Sequence, residues 1–266
     1  MAHYSPVMRP VPPWVTPVHG AVTVHLLGGP WITVGQAQSE IPEGGMRLLA
    51  FLSLDRRPLD RHYIAGSLWP DSDDERAGGC LRTSLWRLRQ AGLDIIECSK
   101  VTLRLLAEVR VDAEVAIQWA DRVLAGRATS GDLTVRPDDA LDLLPGWYDD
   151  WVLLHRERLR QRVLHALDEL SAVLRTRGDH AGAVEAAGSA VAAEPLRESA
   201  QRALVRAHLA EGNLVEARRA FGRYEKLLHR ELGISPSPDL YGQVGLPSFA
   251  TGLGTVRVKA GERLRN

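Results

Sequence analysis

The sequence predicts an α+β fold in two parts, strands around three helices followed by helices alone. Three observations predict it. β-Branched alternation is confined to the first half of the chain, three helical patterns with clear start and stop signals lie between the strand signals, and the second half carries a 34-residue internal repeat. A length of 266 residues accommodates two modest domains. The expected boundaries are a flexible proline-rich arm over 1–20, a mixed domain over 21–111, a helical domain over 112–245 and a flexible basic tail over 246–266.

The elements follow in order. Val22 to Leu27 alternates, Gly28-Gly29-Pro30 breaks it and Trp31-Ile32-Thr33-Val34 resumes it, which reads as a hairpin with a short third strand near Gln38–Ile41. Met46, Leu48, Leu49 and Leu52 keep helical spacing up to about Asp55, and Pro58-Leu59-Asp60 introduces a second helix with Ile64, Ala65, Leu68 and Trp69 on one side. Pro70 and the acids Asp71, Asp73, Asp74 and Glu75 end that helix and cap a third, from about Asp74 to Ala91. Gly92 stops it, and strands Asp94–Cys98 and Val101–Leu106 flank a two-residue Ser99-Lys100 turn.

From Asp112 onward the patterns are helical, interrupted over Gly126–Asp138 and at Leu144-Pro145-Gly146. Gly178-Asp179 and Gly212-Asn213 stand 34 residues apart, with Ala183 and Ala217, then Ala187 and Phe221, in register. That spacing is the tetratricopeptide period. In the first copy Ala190 and Pro195 fill the expected small and helix-ending positions, whereas Gln201 and His208 in the second occupy sites usually apolar or aromatic.

Composition narrows the function. Thirty-three basic against thirty-three acidic residues leave no net charge, so a nucleic-acid reading must rest on local charge. Thirty of the basic residues are arginine, a bias that codon composition explains as well as phosphate contact does. No apolar run approaches the roughly 20 residues needed to cross a bilayer as a helix, so no membrane partner is expected. Two cysteines without metal-ligand spacing, and a proline-rich start lacking the apolar core of a signal peptide, point to a cytoplasmic protein without cofactor or metal. There is no glycine-rich phosphate loop, HExxH or nucleophile elbow, and no enzyme is expected. The nine histidines are scattered, and the acids Asp149 and Asp150 among Trp147, Tyr148 and Trp151 read as a helix entry packed by aromatics.

One helix stands apart. Projected at 100° per residue, Leu81, Leu85 and Leu88, with Ala77 beside them, form the buried stripe of the third helix. Arg76, Gly79, Thr83, Trp86, Arg87 and Gln90 lie opposite, with Arg82 and Arg89 at the edges. Between Arg76 and Arg104 six basic residues meet two acidic ones, a local charge of +4. Arginine forks grip phosphates and guanine edges, and threonine and glutamine reach base edges in a major groove that admits a helix. An exposed helix in an arginine-rich protein shows several arginines whatever its role, so the surrounding topology has to decide. Three helices followed by a hairpin describe a winged helix-turn-helix, and the leading strands describe its OmpR-like, response-regulator variety.

Leu81-Arg82-Thr83-Ser84-Leu85-Trp86-Arg87-Leu88-Arg89 resembles the recognition helix of SARP/AfsR-type transcriptional activators. The resemblance continues through Leu26-Leu27-Gly28-Gly29-Pro30, Leu68-Trp69-Pro70 and Val109-Arg110-Val111-Asp112. Leu144 to Trp151 and Glu231 to Pro238 look like the bacterial transcriptional activator domain that follows in that family, here in the small form without an NTPase module. The resemblance implies binding to direct repeats in double-stranded promoter DNA as a homodimer. It also implies recruitment of RNA polymerase, including the σ subunit, to control a biosynthetic gene cluster. Thr83, Arg87 and Arg89 match family positions that face DNA. Trp86 departs from the family's smaller or polar residue, and both stacking on DNA and packing against the wing suit it. The expected DNA-binding set is Arg76, Arg82, Thr83, Trp86, Arg87, Arg89, Gln90 and, on the wing, Lys100. The rival expectation is a helical-repeat adaptor that uses the winged helix to bind protein.

Overall fold

The structure, a computed structural model, describes residues 15, 21–42, 44–134 and 141–245. Apart from Val15, which is buried, the expected arm and the expected basic tail lie outside the described residues.

Strands β1 (Val22–His25) and β2 (Trp31–Val34) form the expected hairpin, and β3 (Ala37–Ser39) continues it. The third strand begins earlier than Gln38 because the Gly35-Gln36 turn has only two residues and pairs Val34 with Ala37. Helix α1 (Gly45–Leu54) follows, then β4 (Leu59–Asp60), which periodicity could not show. Asp60 ends that strand and caps α2 (Arg61–Leu68), accepting from the backbone N–H groups of His62 at 2.8 Å and Tyr63 at 3.1 Å. Asp73 does the same for α3 (Asp74–Gln90), through the Arg76 N–H at 2.8 Å.

Strands β5 (Ile96–Cys98) and β6 (Thr102–Leu105) make the wing, and β6 also pairs with β4. The tip is Lys100-Val101, not Ser99-Lys100. Ser99 is drawn into the ladder by its N–H bond to the Thr102 carbonyl at 2.9 Å, and its Oγ accepts from the N–H groups of Val101 and Thr102 at 3.1 and 2.7 Å. The chain then returns through β7 (Arg110–Val111), which lies parallel to β1 and completes a sheet of order β3-β2-β1-β7.

Helix α4 (Asp112–Leu124) begins directly after β7. Its first residue, Asp112, is wholly buried and accepts from the N–H groups of Leu26 (2.8 Å), Leu27 (3.2 Å) and Ala113 (2.7 Å). His25 beside it stacks on Trp31 with centroids 3.8 Å apart. The Leu26–Gly28 loop is gripped from the other side too: Leu144 N–H bonds the Leu26 carbonyl and Gly28 N–H the Asp142 carbonyl, both at 2.9 Å. Arg156 holds that strap in place by donating to the carbonyls of Leu143, Leu144 and Trp147 at 2.6–2.9 Å. One apolar cluster therefore runs without a break from Val24 to Ala207.

The rest is helical: α5 (Ser130–Thr134), α6 (Asp150–Thr176), α7 (His180–Ala193), α8 (Glu198–Ala210), α9 (Leu214–Leu232) and α10 (Pro238–Gln243). α5 lies inside the interruption expected over Gly126–Asp138 and is held by Asp132, on which the Arg122 guanidinium and Thr129 converge. The helices from α6 to α9 pack each on the next, as a helical repeat requires. The two repeat copies enter alike. Gly178 (φ 82°) and Gly212 (φ 81°) adopt a backbone that favours glycine, and Asp179 and Asn213 cap α7 and α9 through the N–H groups of Gly182 (2.9 Å) and Glu216 (3.3 Å). Ala183, Ala187, Ala217 and Phe221 are all buried. Gln201 is tolerated in the second copy because its side-chain amide donates to the Pro195 carbonyl at 2.8 Å.

Two outcomes follow. Asp112→Ala strips an acceptor from three buried N–H groups and is expected to cost about 3–5 kcal/mol by urea unfolding. Asp149→Ala, which breaks a part-exposed 2.6 Å pair with Arg47, should cost under about 1 kcal/mol. The Arg122 guanidinium hydrogen-bonded to Asp132, with Thr129 behind it, holds the Asp132 carboxyl down at about 2. Its stabilisation is complete above the unfolded value of roughly 4 and is lost as pH falls through about 2. The stability gap between the parent and Asp132→Asn, measured by urea unfolding from pH 6 to pH 2, should be widest near neutrality and close at the acid end.

Candidate nucleic-acid interface

Helix α3 is seated by its leucines. Ala77, Leu81, Ser84, Leu85 and Leu88 are buried against α1, α2 and the wing, as the angular projection requires. The seat is close: a Cβ on Gly45 would stand 2.8 Å from Leu88 Cδ2, so α1 reaches α3 only because residue 45 has no side chain. This packing leaves the opposite face in solvent. All eight expected contact residues, Arg76, Arg82, Thr83, Trp86, Arg87, Arg89, Gln90 and Lys100, are exposed.

The side chains differ in what they are free to do. Trp86 is 60% exposed, so most of its surface is open to a ligand. Thr83 donates its hydroxyl to the Gly79 carbonyl at 3.0 Å, so toward a ligand it offers only an acceptor. Arg89 faces Asp94 at 3.8 Å, and on the wing Arg104 pairs with Glu97 at 2.5 Å. Two of the six basic residues counted in the sequence are thus engaged by the two acids of that same segment. The Arg87 guanidinium lies near Gly44, at the start of α1.

Charge along α3 is graded. Asp73, Asp74 and Glu75 are exposed at its start, and the basic character begins beyond them with Arg76 and Arg82. Carboxylates at a helix N-terminus stabilise the helix dipole, so folding and anion binding make opposite demands on that turn. A cleft of about 530 Å³ opens there between α2, α3 and the wing, lined by Arg61, Asp74, Glu75, Arg82 and Lys100 among others. Arg61 is a member the sequence reading missed. Its guanidinium donates to the Ser99 carbonyl at 3.1 Å, and its N–H bonds the Val101 carbonyl at 2.9 Å, tying α2 to the wing tip. Nothing local marks it, because residues 61 and 99 meet only through the β4–β6 pairing.

Among the described residues no group of three or more His, Cys, Asp or Glu side chains is placed to hold a metal ion, and no helix is long and apolar enough to cross a membrane. Both cysteines are free thiols.

Comparison with known proteins bears on the whole of this arrangement. The bacterial transcriptional activator domain family matches residues 119–242, from within α4 through most of α10. The regulatory protein AfsR of Streptomyces coelicolor is 30% identical over 210 residues, and AfsR of Streptomyces griseus 28% over 211. The chain is therefore similar to SARP/AfsR-type regulators and carries a segment matching their activator domain. Each match takes in 75% of this chain but 21% of AfsR, so this chain spans about a fifth of the length of those curated relatives. The solved structure of Mycobacterium tuberculosis EmbR in complex with a low affinity phosphopeptide shares the fold, with a TM-score of 0.64 at 19% identity over 85% of this chain and 64% of EmbR.

The two faces of α3 should separate in unfolding experiments. Leu85→Ala opens a cavity and is expected to cost about 2–5 kcal/mol, whereas Trp86→Ala on the solvent side should stay within about 0.5 kcal/mol of the parent. Equal losses for the two variants would mean that the helix is turned differently from the description above.

Proposed function

We propose that this chain is a SARP-type, non-enzymatic, sequence-specific DNA-binding transcriptional activator. In this reading α3 lies in the major groove of promoter DNA, Lys100 at the wing tip meets the backbone or the adjacent minor groove, and the helical part supports pairing of protomers and contact with RNA polymerase, including σ. The carrying observation is the exposed α3 face, with Arg82, Trp86 and Arg87 presented by a helix whose other side is locked into the core. The match to the bacterial transcriptional activator domain and the similarity to regulatory proteins support the same reading. Trp86 would contribute apolar contact with a thymine methyl or a sugar, and Arg82 and Arg87 charge-assisted bonds to phosphate or guanine. One such module contacts too few base pairs for selectivity in a genome, which is why two protomers on direct repeats are proposed.

Selection of DNA fragments by the purified protein, followed by gel shifts on the selected site, tests the proposal. Arg82→Ala and Trp86→Ala should each weaken specific binding by about 1–3 kcal/mol, while Lys100→Gln should weaken all sequences alike and make the salt slope shallower by about one unit. Inserting about 5 bp between the repeats turns one recognition helix to the far side of the duplex and should abolish cooperative binding. Recovery of no enriched sequence, with binding to protein partners that ignores salt, would favour the adaptor reading instead.

A further inference from the structure

A second site lies in the seam between the two parts of the chain. Below the end of α1, a cavity of about 200 Å³ is closed by α4 and α6, with Leu54, Ile117, Leu143 and Leu159 supplying apolar wall. Two polar groups of its lining have no partner. Ser53, 3% exposed, has a buried hydroxyl with no hydrogen bond. Arg56 is held rigidly, its Nη2 donating to the carbonyls of Leu106 (3.2 Å) and Val109 (3.0 Å) and its Nε facing Glu114 at 3.5 Å, yet its buried Nη1 has no partner.

Buried donors are almost always satisfied, and one left unpaired costs stability that an incoming acceptor restores. The charge of the lining fixes what kind of acceptor. Three arginines, Arg56, Arg158 and Arg162, stand against a single carboxylate, Glu114. Glu114 is already engaged by Arg56, and Arg162 by Asp121. Arg158, exposed on α6 beside His155, has no ion pair among the described residues. A hydroxyl, a fixed guanidinium edge and a spare arginine suit the two oxygens of one carboxylate. The apolar walls suit a hydrocarbon body, and a volume below the roughly 300–1,000 Å³ of drug-sized pockets limits its size.

We propose that this seam binds a small monocarboxylic acid with an apolar body, its carboxylate on Ser53, Arg56 and Arg158 and its hydrocarbon against Ile117, Leu143 and Leu159. Such an occupant touches α1 on one side and α4 and α6 on the other, and therefore bridges the winged helix and the helical repeat. The assignment does not rest on the DNA-binding reading.

Titration calorimetry on the whole chain tests it, with hexanoate and benzoate as probes and hexanamide and inorganic phosphate as controls. At least one of the two acids should bind one to one with a Kd below about 1 mM, with hexanamide at least about tenfold weaker than hexanoate and phosphate silent. Ser53→Ala and Arg158→Gln should each weaken the acid at least about fivefold while melting close to the parent, since one removes an unpaired hydroxyl and the other an exposed side chain. Ile117→Trp, which fills the cavity from α4, should abolish binding by a separate route. Failure of both acids to bind below about 1 mM, equal binding of hexanoate and hexanamide, or affinity indifferent to Ser53→Ala and Arg158→Gln in folded protein would each overturn the proposal.

Discussion

The Asp112 carboxylate has no exposure to water and answers three backbone N–H groups, two of them from a loop 86 and 85 positions earlier in the chain. A charge taken out of water is tolerated only when such donors replace its hydration, so the position of each donor is dictated by the carboxylate. The end of β1, the start of α4 and the β7 strand that joins them are consequently set by one side chain. The strap from Asp142 to Trp147 closes on the same loop through backbone bonds, with Arg156 collecting its carbonyls. Because the winged helix and the start of the helical repeat are built around this point, they share one apolar cluster, and a second cluster around Phe221 and Tyr241 holds the later helices together.

That rigidity gives α3 its orientation. Its leucines sit on α1, whose Gly45 allows the backbone to approach Leu88, and α1 in turn carries Phe51 against Trp151 at the head of α6, with ring centroids 5.0 Å apart. The exposed residues of α3 are therefore referenced to the helical repeat through packed side chains. Within the repeat, alanine at 183, 187 and 217 lets neighbouring helices come close, and Phe221 fills the space that the small residues leave around Tyr241. At the cavity in the seam this packing is incomplete, and the unpartnered Ser53 Oγ and Arg56 Nη1 belong to residues that line it.

The fold class, the leading hairpin, the three helices and the wing that follow it, the leucine stripe of α3 and the 34-residue register were all legible in the sequence. Each rests on periodicity, a cap or a breaker within a few residues, such as Asp73 ahead of Arg76 or Gly92 after Gln90, and local rules of that kind are written along the chain. The exposure of Arg76, Arg82, Thr83, Trp86, Arg87, Arg89 and Gln90 followed from the same periodicity, because once Leu81, Leu85 and Leu88 are buried the opposite face has no other place to go.

What the sequence could not determine depends on partners far away in the chain. Strands β4 and β7 have two residues each and exist only because β6 and β1 lie beside them, so no pattern announces them. The wing tip moved by one residue because the Ser99 hydroxyl found the Thr102 backbone, a contest between side chain and ladder that alternation does not encode. Arg61 reached the wing, and Arg89 and Arg104 met Asp94 and Glu97, all through tertiary approach. Asp112 reads in the sequence as an ordinary acid at a helix start. Only the folded chain brings Leu26 and Leu27 to it, since burying a carboxylate requires donors that its own neighbours cannot supply.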